Sequence, residues 1–237
     1  MSDFADELEV FRKEEELAQQ LFFAWLAVRD LASSDPNVLR AMNETPLYWT
    51  NVDYAKLLGS FVVLGRVFDQ NSTHNIDRLI RVAAADLSVF SLDALRARKE
   101  SRRINPTEAA KYVEGKHALS AADVRELRKQ VSHYRRIYEE RYRDVRNKVF
   151  AHKATAVQAE IDAMFAKTDI EGLKEIFGFL RSLEIAMWEL LHNGKRPDVT
   201  PYKFILPPEG ITDRSLAPGE KIFRDAQLNL KKLASSR

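Results

Sequence analysis

The stretch Arg146-Asn147-Lys148-Val149-Phe150-Ala151-His152 brings a guanidinium, a neighbouring amide and an imidazole within seven residues. RNA cleavage by internal attack needs little more. A neutral imidazole such as His152 can take the proton from a ribose 2′-hydroxyl, because its ordinary pKa lies near working pH. The Arg146 guanidinium can hold the scissile phosphate through paired hydrogen bonds and stabilise the charge that builds there. Asn147 can bond a phosphate oxygen or orient the histidine. This scheme requires neither a metal nor a cofactor, and none is expected. A second reading of the same residues stays open, in which His152 caps a buried helix end beside a surface arginine.

The segment leading into these residues is basic. From Arg96 to Lys148 there are sixteen Lys or Arg against eight Asp or Glu, while the rest of the chain holds twenty-one against twenty-seven. Such a segment can attract phosphates, or be a solvated helix face; charge alone does not separate the two. The elements that position it read as helices. Ser120-Ala121-Ala122-Asp123 has the form of a capping box. It opens a long helix with apolar residues at Val124, Leu127, Val131, Tyr134, Tyr138, Tyr142, Val145 and Val149, a coiled-coil-like seam. On a regular helix, Arg146 and His152 differ by about 240°. They converge only if the helix changes geometry near Ala151, if Arg146 curls round, or if two copies share a cleft.

Other segments have the same period. Phe11, Ala18, Phe22, Trp25 and Val28 mark a first helix, ended by Asp35-Pro36. Tyr54, Leu57, Phe61, Leu64 and Phe68 mark a second, broken by the polar run from Gln70 to Asn75. Helices are also expected over 76–85, from Ser91, from Asn105-Pro106, and from Asp169 to His192, where Asn193-Gly194 is a good stop. A Pro-rich stretch, Arg196 to Pro218, contains one strand-like run from Tyr202 to Leu206, and an amphipathic helix over 220–233 closes the chain. The fold class is all-α, a bundle of long antiparallel helices over 1–193 with a strap and C-terminal helix over 194–237.

Several function classes are excluded by missing parts. The chain has no cysteine, no phosphate-binding GxxxxGK[ST] loop, no GxGxxG turn, no GxSxG elbow and no HExxH. Its five histidines form no i, i+4 pair, so a helical metal site is not expected. No apolar stretch approaches the roughly 20 residues that span a bilayer. The acidic opening has no signal-like apolar region. A cytoplasmic protein with no membrane partner is the expectation.

At Arg146-Asn147 and His152, with five residues between the arginine and the histidine, the sequence resembles the HEPN superfamily of helical bundles. Its signature is an arginine, four to six residues, then a histidine. The string YRDVRNKVFAHK, Tyr142 to Lys153, and the segment Gly65 to Arg81 resemble its AbiU-type branch, linked to abortive infection, over about Phe4 to Leu191. The resemblance implies a homodimer with two motifs facing a cleft. It implies a metal-independent endoribonuclease leaving 2′,3′-cyclic phosphate and 5′-hydroxyl ends, acting as a toxin or antiphage effector. An antitoxin or other regulatory protein is the implied partner besides RNA. Arg146 would then bind the phosphate, His152 act as base or acid, and Asn147 support the geometry. Lys148 and Lys153 are candidate phosphate contacts. Asp69 could bond a motif residue or cap a helix end. The Tyr134, Tyr138 and Tyr142 stripe could stack bases, or belong to the core or a dimer interface. A catalytically silent HEPN bundle that binds RNA or a protein partner is the alternative function.

Overall fold

The computed structural model describes residues 3–151, 158–207 and 216–235, and these form an all-α bundle with no strand among the described residues. Helix α1 (Asp3–Ser34) is its axis, packed against α3 (Pro46–Phe68) and α10 (Pro218–Ser235), and more lightly against α9 (Ile170–Asn193) and α4 (Ile76–Ala85). The reason lies in its apolar positions: Phe4, Phe11, Ala18, Phe22, Phe23 and Ala27 are all buried. Phe22 and Phe23 meet Phe177 of α9, with ring centroids 5.0 and 6.1 Å away. Each such fully buried ring contributes about 2–3 kcal/mol of transfer free energy.

Most boundaries follow local chemistry. Asn75 accepts from the Arg78 N–H and starts α4, while Ser91 and Asn105 cap α5 (Leu92–Ser101) and α6 (Pro106–Val113). The capping box at Ser120 and Asp123 is formed in both directions and opens α7 (Ala121–Arg141). His117 adds an Nε2–Oδ2 contact to Asp123 at 2.9 Å, so it is tied to this cap. Gly194, left-handed at φ 58°, ends α9.

One expectation is extended and two are corrected. The Asp35-Pro36 pair ends α1 but also begins α2 (Pro36–Asn43): Asp35 accepts from the Asn37 and Val38 N–H groups, and proline at the first position needs no partner. The run from Tyr202 to Leu206 is not a strand. It lies along α9, where the Tyr202 N–H donates to the Gly178 carbonyl at 3.0 Å. The long seam is not one regular helix either. Helix α7 stops at Arg141, Tyr142 leaves helical geometry at φ −120° and ψ −27°, and a wide π-helical turn runs over Val145–Ala151. Helix α8 (Gln158–Phe165) follows, without a sequence signal that marked it out.

The candidate RNA-cleavage site

The break after α7 has a visible cause. The Tyr142 ring is fully buried, and its hydroxyl donates to the Asp169 carbonyl at 3.2 Å. A Cβ on Gly172 would stand 2.5 Å from that hydroxyl, so the α9 start is shaped to receive it. Tyr142 is thus anchored between α9 and Phe61, whose ring centroid is 6.2 Å away. Val145 is fully buried one turn later, and the chain between widens into the π turn. Such bulges recur at functional sites because they re-aim side chains. The about 240° separation for a regular helix does not hold over Arg146–Ala151, where each residue turns the chain less.

Arg146 leaves this turn towards α3. It lies against Gly65, where a Cβ would be 2.5 Å from Nε and 3.1 Å from Nη2. Its Nη1 donates to Asn147 Oδ1 at 2.7 Å, which fixes the plane of the guanidinium. Its Nε is buried with no hydrogen-bond partner. Arg146 and Asn147 line a cleft of about 430 Å³ together with Gly65, Asp69, Tyr138 and Arg143. The cleft contains a second unanswered donor, the buried Tyr138 hydroxyl. Burial pushes that hydroxyl up to about 12; Arg146 opposes the shift, and Asp69 adds to it. A buried donor left without a partner costs about 1–3 kcal/mol. Two of them beside one cleft form a place for a ligand rich in acceptor oxygens.

The remaining candidates fall as follows. Asp69 caps the end of α3: its N–H donates to the Gly65 carbonyl at 2.8 Å, and its Oδ1 accepts from the Asn71 N–H at 3.0 Å. It therefore occupies the helix-end position, on the cleft wall beside Arg146. Lys148 is exposed and pairs with Asp144 at 3.5 Å. Tyr134, Tyr138 and Tyr142 are all buried within this chain's own core. Tyr138 stacks on Phe68 at 4.9 Å and Tyr134 on Phe179 at 4.1 Å, so their faces are taken and offer no platform for bases. Tyr142 supports the π turn and does not face the cleft. His152 and Lys153 lie outside the described residues; the neighbouring Phe150 is placed, its ring 5.2 Å from Phe61 and 5.7 Å from Tyr54. Among the described residues no group of three His, Cys, Asp or Glu side chains could hold a metal ion. No helix among them is long and apolar enough to cross a membrane.

Sequence reasoning did not single out Gly65 as a site residue, although it stands in the apolar run of α3, where a glycine is disfavoured unless something approaches closely. The AbiU2 family model of HEPN domains matches residues 1–209, nearly the whole chain. The chain belongs to the AbiU2 family of HEPN domains. The match runs past Leu191, where the resemblance read from the sequence ends, and so takes in the Tyr202 segment that α9 carries. No curated protein and no solved structure matches the chain.

Proposed function

We propose that this protein is a metal-independent HEPN endoribonuclease, working as a dimer in a toxin or abortive-infection role. The observation that carries the reading is the Arg146 guanidinium. Gly65 and Asn147 hold it in place, and its Nε is an unanswered donor beside the cleft. Phosphate oxygens are the acceptors such a group suits best. Family membership over residues 1–209 adds the second support, because Arg146, Asn147 and His152 resemble the arginine-to-histidine signature of HEPN domains.

In the proposed reaction, His152 takes the proton of a ribose 2′-hydroxyl, whose oxygen attacks the adjacent phosphorus. Arg146 balances the growing charge on the non-bridging oxygens. The P–O5′ bond breaks, and the departing oxygen is protonated by an imidazolium, from this chain or its partner in the dimer. The products carry a 2′,3′-cyclic phosphate and a 5′-hydroxyl. Arg143 and Lys148, exposed on the same turn of chain, would add field that draws RNA in. The experiment is RNA cleavage by purified wild type against Arg146→Ala and His152→Ala. Activity confined to wild type supports the reading, and equal activity in all three overturns it. RNA retention that falls steeply with salt, without cleavage, would instead mark a silent binding bundle.

A further inference from the structure

On the other side of the Tyr54–Phe150 contact lies a second recess, of about 400 Å³, between the end of α1, α2 and the start of α3. Trp25, Trp49 and Tyr54 line it, with Asp53 and Arg29. Asp53 is only 9% exposed, so it is one of the few buried acids of the chain. Arg29 Nε reaches its Oδ2 at 3.0 Å, while its Oδ1 is buried and has no hydrogen-bond partner. Asp53 stands in a wall otherwise made largely of aromatic and aliphatic groups.

Three kinds of occupant can be compared. A purely apolar ligand would leave Asp53 Oδ1 unanswered, at a cost of about 1–3 kcal/mol. A cation would meet a carboxylate already neutralised by Arg29 and lying in the field of Lys56, so it would face repulsion from two positive groups. A flat, neutral ring carrying an amino group meets neither objection. It can stack on the indoles and donate to Oδ1, and an attached phosphate would find the exposed Arg29. This is the chemistry of a nucleotide whose base bears an exocyclic amine. Uracil fits poorly, because its one ring N–H is flanked by two carbonyl oxygens that a carboxylate repels. Carboxylates read amino-bearing bases in the same way elsewhere.

The recess is linked to the proposed chemistry by one ring contact. Tyr54 borders it and packs its ring edge-on to Phe150, which shares the π turn with Arg146 and precedes His152 by two residues. We propose that the Trp25–Trp49–Asp53 recess is a base-reading subsite, taking an amino-bearing base of the RNA strand whose phosphate lies at Arg146. The proposal rests on the ribonuclease reading for its ligand's source, though the recess can be probed by binding alone.

The test uses the full-length His152→Ala protein, titrated with octauridylate and with the same oligomer carrying one adenine or one cytosine, followed by tryptophan fluorescence. The adenine and cytosine oligomers are expected to quench the indoles and to bind at least about tenfold more tightly than octauridylate. Asp53→Asn, which replaces the bare acceptor by an amide, should erase that preference, and Trp49→Leu should reduce the quench. Arg146→Ala should weaken all three oligomers alike. Equal affinity for all oligomers, or an undiminished preference in Asp53→Asn, overturns the subsite whatever the enzyme does. Wild-type cleavage maps then separate the two ideas. Loss of base preference in Asp53→Asn with cleavage retained supports the subsite. Absence of wild-type cleavage, with the binding preference intact, defeats the ribonuclease reading and leaves the subsite standing.

Discussion

The Nε of Arg146 lies where a side chain at position 65 would begin: a Cβ on Gly65 would be 2.5 Å from it. One glycine in the last turn of α3 thereby sets the position of the guanidinium that the proposed chemistry depends on. The relation is long-range in sequence and was formed by packing the π turn against α3.

Gly65→Ala should therefore uncouple fold from activity. The far part of an arginine side chain moves at little cost, so stability should stay within about 1 kcal/mol of wild type. Cleavage should drop by roughly 10²–10³, the loss typical of one displaced donor to a developing oxyanion. Urea melts alongside RNA cleavage rates check both halves.

Tyr138→Phe removes a buried hydroxyl that has no partner, so no hydrogen bond is lost. Stability should hold or rise slightly, because an unanswered polar group leaves the interior. The Phe68 stack is retained. If the hydroxyl meets a phosphate oxygen, RNA affinity falls severalfold in this variant while the urea midpoint does not.

Glu15 of α1 is fully buried beside Arg181, Glu184 and Gln19, and burial pushes its carboxyl up to about 8. Arg181 and the Gln19 amide oppose the shift, and Glu184 adds to it. Burial raises Glu184 as well. Between the ordinary 4.5 and about 8 the folded state binds more protons than the unfolded one. Stability is therefore full below the ordinary value and declines as pH rises through this window, by at most on the order of 1 kcal/mol per pH unit from Glu15. Denaturation midpoints measured from pH 5 to 8.5 should fall, and Glu15→Gln should flatten the slope.

Glu220, at the start of α10, accepts from the Tyr202 hydroxyl at 3.0 Å, the Ile205 N–H at 2.7 Å and the Ala217 N–H at 2.8 Å. It is wholly buried and ties the segment after α9 to the bundle. Glu220→Ala would orphan three donors, so a loss of about 3 kcal/mol or more is expected. The check is a urea melt, with limited proteolysis between 196 and 218 as the local readout.

Much of the frame was legible where local chemistry decides. Ser120, Asn105, Asn75 and Gly194 mark helix ends because each answers an orphan backbone group within a few residues. Pro36 was read only as a stop, though its fixed geometry equally suits a first helical position. The π turn was hidden for a different reason. Tyr138, Tyr142, Val145 and Val149 keep helical spacing through it, and the deviation arises from the distant grip of Asp169 and Gly172 on Tyr142. Arg146 and Asn147 could be picked out by type and spacing. Gly65 and the unanswered Tyr138 hydroxyl could not, because their surroundings come from which helices meet; Tyr138 stood out only as one ring of an apolar stripe.

The most direct measurement compares wild type with His152→Ala on total RNA in EDTA, with the ends of the products analysed. The account predicts cleavage by wild type only, leaving 2′,3′-cyclic phosphates and 5′-hydroxyls. Cleavage by His152→Ala at the wild-type rate, or products ending in 3′-hydroxyls, would contradict it.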